Sequence, residues 1–224
     1  AIGHDRMAEL FAEAGVETPA VLTEGGEFYR AEGSTLEVRH AGGSYHPVSL
    51  PEGVMRFHMT RRTLTPITAN NSASLFALEG DLRLVEFHSK ANALTDESME
   101  IVAAAAADHG KGIIIHNDAQ HFSAGVDLNA FRAYIEEEDW DGIDGFLDRF
   151  QKAVCALKYT PVPVVGAPSG LAAGGGYEVL AHCDRLVVHT NSVMGLVEAG
   201  VGVVPGGGGI KDTFFRWHAA KDSW

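Results

Sequence analysis

Hydrophobic and polar positions change rhythm near residue 70, and the two parts of the chain predict different structures. In the first part Met7, Leu10, Phe11 and Ala14 recur at helical spacing, and Gly15 follows as a stop. Leu36 and Val38 alternate with polar residues, Ala41-Gly42-Gly43 supplies a turn, and Tyr45 to Leu50 extends again, which is the pattern of a hairpin. From Thr63 to Ser74 the chain turns polar, and Pro66 cannot sit inside a helix. This places a boundary near residue 70. Residues 1–70 hold no cluster of chemistry-bearing side chains and read as an N-terminal appendage.

Beyond the boundary, apolar runs are stronger. Ser74–Leu78 and Leu82–Phe87 flank Glu79-Gly80-Asp81, two strands around a tight turn. Thr95 or Asp96 caps a helix with Met99, Val102, Ala103 and Ala106 on one face, ending before Gly110. Gly112 to His116 is a β-branched run suited to a strand buried on both faces. Asp141–Lys158 is the clearest helix, with Ile143, Phe146, Leu147, Phe150, Val154 and Leu157 at its interval. Next come a strand from Pro161 to Val165, a loop over Gly170–Gly176, a short helix over Tyr177–His182 and a strand over Arg185–His189. Strands alternating with helices predict an α/β fold of stacked βαβ-like units, here as a domain covering residues 71–224.

Composition narrows the function. Apolar residues make up 46% of the 224, enough for a real core. Seventeen basic against thirty acidic side chains give a formal charge of −13, which repels nucleic acid and anionic membranes. The longest apolar run, Ile101 to Ala107, falls far short of the roughly 18 residues of a membrane span. Two cysteines, Cys155 and Cys183, are too few for a disulfide framework and suit a reducing, cytoplasmic setting. The opening Ala-Ile-Gly-His carries no signal-peptide pattern, and the chain reads as a segment of something longer or one trimmed at both ends.

Three stretches can carry chemistry. Phe122-Ser-Ala-Gly-Val-Asp127 follows the buried strand ending at His116, where open α/β sheets place ligands, and Gly125 allows a sharp turn that frees the Ala124 amide. An ordinary strand-to-helix turn fits the same residues. Gly174-Gly-Gly-Tyr-Glu178 puts several amides at a helix start without the Lys-Ser/Thr of a phosphate loop or the spacing of a dinucleotide fingerprint. What remains is a pair of donors for an oxygen that becomes negative, with Glu178 held ionised in the first turn, or a glycine hinge for close packing. Glu198 is a single carboxylate in the apolar stretch Met194–Gly202, where burial suits a group that holds and delivers a proton; a surface loop is the other reading. Glu136-Glu-Glu-Asp139 reads as a solvated helix end or loop. Gly166-Ala-Pro-Ser-Gly170 has its serine displaced from the nucleophile-elbow position. His182-Cys183-Asp184 diverge and make no metal site, and His121 is at most a rim residue.

Ser89-Lys-Ala-Asn-Ala-Leu94, Phe122–Leu128, Pro161–Ala167, Gly174–Glu178, Gly195-Leu-Val-Glu198 and Pro205–Gly209 resemble, in order and spacing, the crotonase (enoyl-CoA hydratase/isomerase) family over residues 72–216. The chain is most similar to the hydratase part of fused 3-hydroxyacyl-CoA dehydrogenase/enoyl-CoA hydratase proteins, so that residues 1–70 would be the tail of a preceding region. The resemblance implies a crotonase-like spiral of ββα units, assembled as a trimer or hexamer. It also implies C-terminal helices, and a chain stopping soon after Gly209 reads as truncated there. The Ala124 and Gly175 amides would form the oxyanion hole, Glu178 and Glu198 would be the catalytic carboxylates, and Lys90, Ala91, Asp127 and Gly174 would meet the acyl-CoA. The substrate would be a coenzyme A thioester, with no metal and no bound cofactor. Lys90, Lys158 or Arg132 would have to offset the acidic charge. Hydration of a trans-2-enoyl-CoA in fatty-acid β-oxidation is the expected reaction. A Δ3-Δ2-enoyl-CoA isomerase and a non-catalytic acyl-CoA-binding domain are the alternatives.

Overall fold

The computed structural model describes residues 3–23, 25–33, 35–54, 56–201 and 204–208, with the side chains of Ala130, Ala199 and Val201 excepted. It divides into two units, one ending at Leu64 and the other beginning at Thr65.

The first unit holds helices α1 (His4–Glu13), α2 (Ala20–Thr23) and α3 (Phe57–Thr60) and strands β1 (Tyr29–Glu32), β2 (Thr35–Arg39) and β3 (Tyr45–Pro47). The expected helix forms, and Gly15 stops it at φ +66°. The expected hairpin is β2–β3, with Arg39 opposite Tyr45, and β1 extends it into a three-stranded antiparallel sheet.

The second unit is built on a six-stranded sheet. Its strands are β4 (Thr68–Ala69), β5 (Ala73–Leu78), β6 (Leu82–Phe87), β7 (Gly112–Ile115), β8 (Val164–Gly166) and β10 (Arg185–Leu186). β4, β5 and β6 are antiparallel, whereas β6, β7, β8 and β10 run parallel. Parallel neighbours need crossovers. These are α4 (Asp96–Ala107), the pair α5 (Leu128–Glu136) and α6 (Trp140–Lys158), and α7 (Gly175–Ala181). α4 starts on a capping box between Thr95 and Ser98, and α6 starts on Asp139, whose carboxylate accepts the Gly142 amide. Glu136–Asp139 forms the turn between α5 and α6, as its charge suggested. The buried face of α4 is Met99, Ile101, Val102 and Ala105, while Ala103 is exposed. The unbroken alanine run carries too little contrast to show which face turns inward.

A second, shorter ladder runs beside the main sheet. β9 (Leu171–Ala173) pairs in parallel with β11 (Val193–Gly195), so the expected Gly170–Gly176 loop contains a strand. Single bridges, Ser123 to Ala172 and Leu94 to Val126, extend the same ladder. Each turn of chain therefore places one strand in the main sheet, one residue pair or strand in the small ladder, and then a helix. That is the expected ββα spiral. Three-residue β9 has no room for an alternating pattern, which is why periodicity alone reads it as loop. The core between sheet and helices is continuous, from Leu75, Val85 and Phe87 through Ile113 and Ile115 to Phe146, Phe150, Val154 and Leu180. Among the described residues, no helix is long and apolar enough to cross a membrane, and no group of three or more His, Cys, Asp or Glu clusters as a metal site.

Candidate active site

The two glycine-bearing bends meet on the small ladder. A Cβ added to Gly125 would stand 3.7 Å from the Gly175 nitrogen and 3.1 Å from the Ala173 carbonyl oxygen. One added to Gly175 would lie 3.4 Å from the Val126 nitrogen and 2.7 Å from the Val126 side chain. Only glycines let these two backbones approach so closely, and Gly125 also sits at φ +97°.

The amides at this junction are not all available. Ala124 donates its N–H to the Ala91 carbonyl at 3.2 Å, so the amide that the sequence picks out as a donor is already engaged. The neighbouring Val126 amide is placed differently. Gly125 turns its carbonyl to the Leu94 amide at 2.8 Å, and Asp127 donates to the Leu94 carbonyl at 2.9 Å. In a trans peptide the C=O and the following N–H point in opposite directions. The Gly125–Val126 peptide therefore aims the Val126 N–H away from Leu94, on the side where Gly175 approaches. Gly175 is the first residue of α7, where amides lack an intrahelical acceptor. Neither the Val126 nor the Gly175 N–H has a hydrogen-bond partner among the described residues. The facing donors are thus Val126 and Gly175, and the correction is a shift of two residues along one bend. No signal in the sequence marks this shift, because it follows from the small ladder, whose single bridges are too short to show as alternation.

The two carboxylates border the same turn. Glu178 lies in the first turn of α7 and is 1% exposed. Its Oε2 abuts Gly207, where a Cβ would also meet Phe150 at 2.5 Å. The glycine loop is anchored to α6 there, since Gln151 donates to the Gly206 carbonyl at 2.6 Å. Glu198 opens a 3-10 turn, Glu198–Val201, and is half-buried. Its Oε1 stands 2.7 Å from where a Cβ of Gly174 would be, and its Oε2 is buried without a hydrogen-bond partner among the described residues. Gly174 has φ +48° and ψ −120°, a region that essentially only glycine occupies, and it ties β11 to α7 by donating to Gly195 and accepting from Glu178 N–H, both at 2.9 Å. A buried carboxylate oxygen with nothing to bond is costly unless a ligand or solvent proton completes it.

The remaining candidates lie on other segments. Lys90 and Ala91 are exposed in the 3-10 turn Lys90–Asn92, where Ala91 and Asn92 both take left-handed backbone, at φ +57° and +51°. Asp127 caps α5, accepting the Asn129 amide and side chain at 2.9 Å each, which gives it a structural task. Arg132 is held by Glu136 at 2.7 Å. Lys158 ends α6. His121 accepts the Leu171 amide on Nδ1 at 3.1 Å beside the site. Cys183 is buried in the core.

Comparison with known proteins gives the family and the fold. Residues 82–216 match the family model described as Enoyl-CoA hydratase/isomerase. A protein of Bacillus subtilis strain 168, named Probable 3-hydroxyacyl-CoA dehydrogenase, is 33% identical over 226 residues, which is 96% of this chain and 28% of that protein. The fatty acid oxidation complex subunit alpha of Idiomarina loihiensis is 32% identical over 102 residues, 46% of this chain and 14% of its own length. The chain thus spans well under half of these curated relatives. The crystal structure of an enoyl-CoA hydratase from Polaromonas sp. JS666 superposes with a TM-score of 0.58 at 23% identity, covering 62% of this chain and 56% of that one, and shows a shared fold.

Proposed function

This chain belongs to the enoyl-CoA hydratase/isomerase family, and from that premise we propose that it adds water reversibly across the double bond of a trans-2-enoyl-CoA. The observation that carries the reading is the junction of two amides without a hydrogen-bond partner among the described residues, Val126 and Gly175, with Glu178 and Glu198 around the same α7 turn. As water adds to C3, negative charge gathers on the thioester oxygen. Two fixed amides would hold that oxygen, each worth about 3–4 kcal/mol by the precedent of oxyanion-hole donors. One carboxylate takes the proton from water and the other supplies the proton to C2, acting as a coupled pair. The coenzyme A thioester enters as substrate, with Lys90 and Ala91 at its rim. No metal has a role in these steps.

The similarity to the Bacillus protein runs through both units and supports a place for residues 1–70 as the tail of a preceding dehydrogenase region in a multifunctional β-oxidation protein. We further propose a cytoplasmic homo-oligomer, a trimer or hexamer.

The test follows loss of the conjugated-thioester absorbance of crotonyl-CoA. Glu178→Gln and Glu198→Gln should each lower kcat by about 10²- to 10⁴-fold, the usual contribution of a positioned acid or base. Loss with one substitution only would instead fit a single-carboxylate isomerase, and binding without turnover in the unaltered protein would fit a non-catalytic acyl-CoA-binding domain.

A further inference from the structure

Ser123 is fully buried and lies between several of the segments that shape the amide junction. Its Oγ donates to the Asn92 carbonyl at 2.7 Å and accepts the Gly125 amide at 3.1 Å. Its backbone donates to Leu171 at 3.0 Å and accepts from Ala173 at 3.1 Å, which fixes it to β9. On its other side Gly176 comes so near that an added Cβ would lie 2.7 Å from the Ser123 Cβ and 3.0 Å from its Oγ. One small side chain thus touches the Lys90–Asn92 turn, the bend at Gly125 and the first turn of α7.

We propose that Ser123 is a positioning residue for the oxyanion hole: its hydroxyl sets the plane of the Gly125–Val126 peptide and so the aim of the Val126 N–H. The argument is geometric. Gly125 is free to rotate, and two bonds restrain its flanks, Ser123 Oγ on its own amide and Leu94 on its carbonyl. The second is backbone and cannot be removed by substitution. The first can. Without the hydroxyl, the Gly125 amide and the Asn92 carbonyl both lose a buried partner, and a glycine with φ +97° keeps no bond on its own N–H, the nearest restraint before it being the Ala124 amide on Ala91. An alanine fills the same Cβ position, so packing against Gly176 is kept. What changes is the direction of a donor, and a misdirected donor costs rate in the step where charge develops rather than in binding.

This inference rests on the hydratase reading, and the experiment separates the two. In the intact protein, Ser123→Ala should lower kcat for crotonyl-CoA hydration about 10- to 100-fold, the range expected when a reacting group is displaced by an ångström or less. KM should move by less than about threefold, since ground-state binding is left alone. A push–pull cinnamoyl-CoA thioester gives the spectroscopic readout, because hydrogen bonds to its carbonyl shift its absorption to longer wavelength. The unaltered protein should produce that red shift, and Ser123→Ala should bind the probe with a smaller one. Ser123→Cys keeps a weak donor and acceptor and should fall between the two. It also decides the matter by the same readouts if the alanine variant does not fold. A full red shift and unchanged kcat in a folded variant, or a raised KM at unchanged kcat, would overturn the positioning role. No red shift and no hydration in the unaltered protein would instead overturn the functional reading beneath it.

Discussion

The bend at Phe122–Asp127 and the turn at Glu198–Val201 would serve one site in the proposed hydratase, yet they are built differently. The bend is tied to four segments: Asn117 accepts the Phe87 amide at 2.7 Å and donates to the Phe122 carbonyl, Ser123 bridges to Asn92 and β9, and Leu94 brackets Val126. Phe122 and Ser123 have no exposed surface. The turn, by contrast, follows a three-residue strand and leaves Val197 about half exposed. On the proposed mechanism, the difference follows from what each would carry. Backbone donors stabilise charge only if they are already aimed, because reorienting them during the reaction would cost what they supply. A carboxylate that gives and takes protons works over a hydrogen-bond length and tolerates a looser mount.

Three substitutions sharpen or break this contrast. The largest effect is expected for Gly125→Ala. Its new Cβ would press on the Ala173 carbonyl at 3.1 Å in a backbone conformation that L side chains rarely adopt. Hydration should fall about 10²- to 10³-fold, as when an oxyanion donor is removed, and steady-state kinetics with crotonyl-CoA measures it. Next comes Asn117→Ala, which leaves the Phe87 amide and the Phe122 carbonyl buried without that partner. A loss of about 2–3 kcal/mol in urea denaturation is expected, and a loss below about 0.5 kcal/mol would remove the claim that the bend is rigidly mounted. The smallest is Gly200→Ala on the turn, where an added Cβ meets nothing within 4 Å. Stability should change by no more than about 0.5 kcal/mol and hydration should be unaffected. A large effect there would show that the turn is as constrained as the bend.

Much of this was legible before any coordinates. The hairpin β5–β6, the helices α4 and α6 and strand β7 are long enough for their apolar spacing to declare them. So were Gly125, Gly175, Glu178 and Glu198, because glycine clusters beside lone carboxylates are unusual in otherwise apolar runs. The small ladder was not legible. Its strands are three residues or single bridges, below the length at which alternation is visible, and it is the ladder that engages Ala124 and frees Val126. The α5 helix, Leu128–Glu136, also escaped the pattern, although Asp127 ahead of it is a good cap.

The two consecutive left-handed residues Ala91 and Asn92 carry one last consequence. Neither is glycine, so an isolated peptide of this sequence would relax out of that shape. It persists because three partners clasp it from outside: Ala124 on the Ala91 carbonyl, Ser123 on the Asn92 carbonyl, and the Asn92 side chain on the His121 carbonyl at 2.9 Å. During folding, then, the Lys90–Asn92 turn acquires its form only after a segment thirty residues later in the chain has docked, so that the proposed entrance and the proposed oxyanion bend would mature as one event.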